Sequence, residues 1–337
     1  MAAGLQVVCV VLEDGEAACW GDWFGDTPRR IPGLRDVTAI GVGDYHVCAL
    51  HRDGTVSCGG TNVDGPLGRA GQGDRLPFAP VDGIADATAI YVGGYNTCIR
   101  DQSAGVKCWG RSFATEADPM QRSRCAADQQ IQRADTSEYD NVYLTSSGRV
   151  LWWGYPEIID DGRYYTWCTE PATVDIPGRA RDVCAGSYHS CAVAEAGTVH
   201  CWGVSGVLTQ RLGFPWSDGS WPVRDKKVYS LPEPPAVLGV TDAVELSCGD
   251  HHTCARLGSG SVQCWGAQYL LGSNIPPNGG NVMLARTVDG VTNAIQIAAG
   301  SGRTCALEAD GALVCWGDDW LGTGRREGSV IPVAVQR

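Results

Sequence analysis

Cysteine recurs in this chain at a separation of ten residues, and it does so six times: Cys9 and Cys19, Cys48 and Cys58, Cys98 and Cys108, Cys191 and Cys201, Cys254 and Cys264, Cys305 and Cys315. A fixed spacing repeated along a chain marks a repeat architecture, in which each unit buries its apolar face against its neighbours. The spacing itself has a geometric reading. In "CALHRDGTVSC" (48–58), a three-residue loop at Arg52, Asp53 and Gly54 sets His51 opposite Thr55, Leu50 opposite Val56 and Cys48 opposite Cys58. Such loops end in a residue of left-handed conformation, which favours glycine. Glycine holds that place in Gly15, Gly54, Gly148, Gly197, Gly260 and Gly311. The third copy has Ala104 there and Gly105 one residue later, so a different turn is expected.

Alternation makes the cysteines a non-hydrogen-bonded cross-strand pair, with Cα atoms about 4.5–5.5 Å apart, within the reach of a disulfide. A further unit, "VYLTSSGRVLWWG", keeps the loop glycine but carries Val142 and Trp152 at the two cysteine positions. Joint loss of both members is the behaviour of partners. Buried free thiols acting as small hydrophobes are the alternative. Zinc is disfavoured, because no C-x-x-C and no recurring Cys/His knuckle occurs. No cofactor is expected.

The total of 16 cysteines is even, and paired structural cysteines belong mainly to oxidising compartments. Secretion, the periplasm or a cell surface is therefore expected, although the start "MAAGLQVVCVV" lacks a basic region followed by a long apolar run. Abundant glycine (45) and tryptophan (12) beside scarce phenylalanine (4) and methionine (3) suit tight turns and aromatic-sealed layers, and predict a mostly β protein. A net charge of −12 without a Lys/Arg cluster argues against nucleic-acid binding. No apolar run approaches the roughly 20 residues of a membrane-spanning helix, so membrane insertion is not expected.

The surroundings of each pair recur as well: "IGVGDYHVCALHRDGTVSCGG", "YVGGYNTCIRDQSAGVKCWG", "CAGSYHSCAVAEAGTVHCWG", "SCGDHHTCARLGSGSVQCWG" and "IAAGSGRTCALEADGALVCWG". This G-x-x-(H)-(S/T)-C-A-L-x-x-D-G-x-V-x-C-W-G frame resembles the repeat of the regulator-of-chromosome-condensation (RCC1) family, in its cysteine-rich, secreted bacterial form. "VDGIADATAI" and "VDGVTNAIQI" resemble the strand that leads into that repeat. Counting Val142, the first-cysteine positions fall at 9, 48, 98, 142, 191, 254 and 305, which makes seven units.

The chain ends on "SVIPVAVQR", a lead-in pattern with no hairpin behind it, and begins with a hairpin that lacks one. The expectation is one domain over 1–337, a seven-bladed all-β propeller closed by terminal strand exchange. Trp109, Trp202, Trp265 and Trp316 are expected to seal blade tops or interfaces. Cys184 and Cys248 occupy matching lead-in strands one register apart and are candidates to bridge two blades near the centre. Cys125 and Cys168 flank the degenerate fourth hairpin and are candidates to tie its loops.

His46, His189 and His252 each stand two residues before a first cysteine; recurrence assigns them a structural role, a hydrogen bond to a neighbouring turn, ahead of a metal site. No G-x-S-x-G elbow, H-E-x-x-H helix or P-loop is present, and the acidic "IIDDG" (158–162) reads as solvated loop, so no enzyme is assigned. The connections after each W-G are aromatic: Trp23, Phe24, Phe113, Tyr155, Phe214, Trp216, Trp221, Tyr269 and Trp320. Insertions of repeat proteins collect on one face, and aromatic anchors suit protein interfaces. The function expected is non-catalytic protein binding through that face, inhibitor-like as in a secreted relative. Glycan binding through the same rings is the alternative. Nucleotide exchange on a small GTPase, as in the family's namesake, is disfavoured by six disulfides and acidic charge.

Overall fold

The structure, a computed structural model, describes residues 1–71, 73–110, 130–137, 140–153, 171–187, 189–203, 230–231, 234–273, 282–318 and 320–336. Its strands assemble into seven sheets, the blades of a propeller. Blade 2 shows the plan. An inner strand, Val37–Val42, pairs with His46–His51, which pairs through a tight loop with Val56–Gly60, and Leu76–Pro80 forms the outer edge. Inner strands Ala2–Ala3, Val37–Val42, Ala87–Val92, Ile131–Thr136, Ala180–Ala185, Ala243–Cys248 and Ala294–Ala299 surround a central channel of about 750 Å³.

The hairpin register is the one the spacing dictates: Cys48 pairs with Cys58 and Leu50 with Val56, and the other five pairs match in the same way. All six are disulfides with Cα atoms 4.0–4.1 Å apart. The third hairpin corrects an expectation. Its turn has the same form as the others, because Ala104 itself adopts the left-handed conformation (φ 62°). The carboxylate of Asp101 holds it there, accepting from Ser103 N, Ser103 Oγ and Gly105 N at 3.0, 2.6 and 3.0 Å.

One repeated contact builds the joints. The face carrying a disulfide packs against the tryptophan of the following blade: Cys48 and Cys58 on Trp109, Cys191 and Cys201 on Trp265, Cys254 and Cys264 on Trp316. Val142 and Trp152 receive Trp202 in the same manner, as apolar bulk in place of sulfur. Blade 2 has Gly59 where the tryptophan belongs. Phe78, Trp23 and Phe24 fill the space against the Cys9–Cys19 face; a Cβ at Gly59 would lie 3.0 Å from the Phe78 ring, and one at Gly60 2.6 Å from Trp23.

Closure differs from the expected strand exchange. Ser329–Ala334 pairs with Leu313–Gly317 of its own blade, and Ala2–Ala3 pairs with Val7–Val11 of the first, so each blade keeps its own strands. Within "SVIPVAVQR", Ser329–Ala334 is an outer strand, the counterpart of Leu76–Pro80. Blades 1 and 7 close instead by the joint used elsewhere: Trp20 packs against Cys305, Cys315 and Leu321, and its Nε1 donates to Trp320 O at 3.0 Å. Trp109 and Trp316 donate equivalently to Pro66 O and Leu270 O, both at 2.9 Å.

Candidate functional site

At one end of the channel every blade turns from its inner strand into its hairpin. Gly4, Gly43, Gly93, Ser137, Gly186, Gly249 and Gly300 each donate a backbone N–H three residues ahead, at 2.7–2.9 Å. The glycines are required by close approach. A Cβ on Gly4 would sit 2.2 Å from Gly43 O, on Gly43 2.4 Å from Gly93 O, on Gly249 2.2 Å from Gly300 O, and on Gly300 2.3 Å from Gly4 O. The blades thus meet backbone to backbone around this mouth, and the contact runs unbroken across the chain ends.

Just behind it lies a ring of joints made by the residue two before each first cysteine. His46 Nε2 lies 2.9 Å from Thr97 Oγ1, His189 Nε2 2.7 Å from Thr253 Oγ1, and His252 Nε2 2.6 Å from Thr304 Oγ1, each across a blade boundary. The partner is therefore a hydroxyl of the next blade rather than a neighbouring turn. Burial holds these imidazoles neutral, at pKa values of about 3, 4 and 3. In blade 4 Asp140 takes the position, beside Ser190 Oγ at 3.5 Å and accepting from Trp152 Nε1 at 3.3 Å, and burial pushes its carboxyl up to about 8. In blade 1 the position is Val7, and it packs with Val47. The two residue types change together, so the histidines serve as structural latches.

The channel wall is wedged by the same logic. Arg133 pairs with Asp182 at 2.8 Å, and Asp182, pushed up to about 6 by burial, accepts from Leu246 N of blade 6 at 2.7 Å. Asp135 accepts from Ala185 N at 3.0 Å, and Ser247 from Ala299 N at 2.8 Å. Between blades 5 and 6 a covalent bond replaces such a contact: Cys184 is joined to Cys248, with Cα atoms 5.5 Å apart. The sulfurs of Cys184, Cys191 and Cys248 lie within 4.8 Å of one another, but all three are in disulfides, which leaves no thiolate for a metal. No cysteine among the described residues is free.

The mouth bears a feature the sequence reading missed. Three residues before each first cysteine stand Gln6, Tyr45, Tyr95, Tyr139, Tyr188, His251 and Gly302. Among the described members, the rings of Tyr45 and Tyr95 are 5.8 Å apart, and Tyr45 is 37% exposed. The signal was the fixed offset from cysteine. The connections after the W-G begin beside these same turns: Asp22 N donates to Gln6 O, Thr61 N to Tyr45 O, Ala267 N to His251 O and Asp318 N to Gly302 O. Among the described residues, the Tyr45 and Tyr95 rings, the tyrosine collar, and the connections of blades 1, 2, 6 and 7 therefore share one end of the ring.

The proposed aromatics fall into distinct environments. Tyr269, on the short turn Gln268–Leu270, is 46% exposed. Trp23 and Phe24 are half-buried in the joint between blades 1 and 2. Trp320 is 7% exposed, its ring covered by the Arg326 guanidinium at 4.2 Å, and acts in closure. Phe113, Tyr155, Phe214, Trp216 and Trp221, together with Cys125, Cys168 and the acidic run 158–162, lie outside the described residues.

Three segments, 180–206, 243–269 and 294–319, match the regulator of chromosome condensation (RCC1) repeat. Protein pim1 of Schizosaccharomyces pombe is 27% identical over 52% of this chain and 35% of its own length. Matches to curated relatives span 14–44% of those proteins, so the chain corresponds to less than half of each. Among solved structures, human WBSCR16 superposes with a TM-score of 0.74 at 21% identity, covering 94% of this chain and 86% of that one. Prp20p of Saccharomyces cerevisiae, studied for its binding to Gsp1p and histones, gives 0.72 at 17% identity, covering 100% and 87%. Repeat match, hairpin frame and blade count agree: the chain is a cysteine-rich, seven-bladed propeller that carries RCC1 repeats and has the fold of the RCC1 propellers.

Proposed function

We propose that this protein is a non-catalytic binding propeller of an oxidising compartment, and that it engages a protein partner through the end of the ring bearing the tyrosine collar. The observation that carries this reading is the division of labour between the two regions of the fold. Latches, wedges and disulfides commit the joints to rigidity, while the paired rings of Tyr45 and Tyr95, with Tyr45 exposed, stand at the mouth beside the connection of blade 2. Rigid aromatic anchors on a pre-organised surface bind with little loss of side-chain entropy. Propellers of this family typically bind proteins, and Prp20p is one whose described ligands are proteins. The disulfide complement supports the oxidising compartment.

The test is capture from the native medium with wild type and with Tyr45→Ala/Tyr95→Ala, followed by affinity measurement on the captured protein. The expected result is a captured protein whose affinity falls at least about tenfold in the variant. Equal affinity for both removes the collar from the interface. Binding to a glycan array that the variant abolishes replaces the protein partner with a carbohydrate.

A further inference from the structure

The six hairpin disulfides and the Cys184–Cys248 bond differ in access. Each sulfur-bearing residue of the hairpin pairs is at most 1% exposed. Cys248 is half-buried and lines the central channel. Solvent in the channel therefore reaches one disulfide among those of the described residues, and reaches it from the Cys248 side, since Cys184 is fully buried.

Behind that bond stands a second. On blade 5, Cys184 is the direct cross-strand partner of Cys191, which is the direct partner of Cys201, so three cysteines lie abreast on one face of the sheet. No other described inner strand repeats this. The residues opposite the first cysteine elsewhere are Ala2, Gly41, Tyr91, Ser247 and Ala298. With the sulfurs of Cys184, Cys191 and Cys248 all within 4.8 Å, a thiolate released on Cys184 has Cys191 Sγ as an immediate neighbour.

We propose that this cluster is a thiol–disulfide exchange site, open through the channel to small-molecule thiols, in which attack at Cys248 is relayed to Cys201. A thiolate RS⁻ attacks Cys248 Sγ; the RS–Cys248 bond forms, the Cys184–Cys248 bond breaks, and the electron pair leaves on Cys184. The Cys184 thiolate then attacks Cys191 Sγ, forming Cys184–Cys191 and expelling Cys201 as the thiolate, which takes up the proton originally lost by RSH. The sum is one thiol consumed and one thiol produced, with no external oxidant or reductant. The cross-link between blades 5 and 6 is exchanged for one within blade 5.

The experiment uses the folded protein, glutathione at neutral pH without denaturant, an acid quench, and alkylation with iodoacetamide before peptide mapping. The expected first product carries glutathione on Cys248, the alkyl label on Cys201 and a linked Cys184–Cys191 peptide, with the other five hairpin pairs unlabelled. Label on Cys184 in place of Cys201 overturns the relay. First reaction at a hairpin of another blade, or no incorporation before unfolding, overturns the site. In Cys184→Ser/Cys248→Ser, glutathione incorporation into the folded protein is lost while Cys191–Cys201 stays intact; persistent incorporation again overturns it.

Discussion

Trp20 of blade 1 donates its indole N–H to the carbonyl of Trp320 in blade 7 at 3.0 Å, joining residues 300 positions apart in the chain. This bond, with the packing of Trp20 on Cys305 and Cys315, is how the ring closes in the absence of a shared strand. Trp20→Phe keeps most of the apolar contact and strands the Trp320 carbonyl, at an expected cost of about 2–3 kcal/mol. Urea unfolding measures the loss, and hydrogen exchange should show it concentrated in Val7–Val11 and Leu313–Gly317.

The left-handed turn residue of the third hairpin gives a stabilising substitution. Ala104 at φ 62° carries a steric penalty that glycine lacks, partly offset by the entropy glycine loses on folding. Ala104→Gly is expected to raise stability by about 0.5–1 kcal/mol. The reverse change in blade 2, Gly54→Ala, brings a Cβ within 2.8 Å of Ala85 O and is expected to lower it. Opposite shifts of the urea midpoint are the readout.

Acid sensitivity follows from the latches. The folded pKa of His252, about 3, lies below the ordinary 6.5, so the unfolded state binds its proton first and the contribution to stability falls as pH drops from about 6.5 toward 3. His46 and His189 act in the same direction. Asp140 and Asp182, raised to about 8 and 6, act in the opposite one, since the fold holds their protons at pH values where the unfolded chain has released them. His252→Gln removes one imidazole from the balance. Its stability loss between pH 7 and pH 5 is expected to be about 2 kcal/mol smaller than that of wild type, measured by urea unfolding at both values.

The glycine positions of the mouth leave no room for a side chain, and blade 4 alone carries one there, Ser137. Gly300→Ala places a methyl 2.3 Å from Gly4 O, a backbone atom held by closure, and is expected to cost about 3 kcal/mol. Circular dichroism thermal melts against wild type check it.

Much of this fold is legible in the sequence because the decisive contacts are local. Cys48 meets Cys58 across one turn, so the spacing of ten reports the register directly. Alternation then places Leu50 and Val56 on the same face, where they meet Trp109. Legibility stops at contacts between blades. The outer strand Leu76–Pro80 and the next inner strand Ala87–Val92 are separated only by residues 81–86, so they read as one motif although they belong to different sheets. That fusion made the C-terminal "SVIPVAVQR" look like a strand awaiting a blade. The partner of His46 is likewise 51 residues away, beyond any local pattern. Among the aromatics, counting rings after the W-G could not separate exposed Tyr269 from Trp320, whose burial depends on Arg326 and on blade 1.

The glycines around the mouth also bear on how such a chain can change. Where adjacent units touch carbonyl to Cα, main-chain contact sets how closely they approach, and seven such units complete the circle. A duplicated unit inserted into this circle would need every seam to narrow at once, whereas a lengthened connection disturbs no seam at all. Added length in this chain is therefore accommodated in the loops, while the seams hold the number of blades.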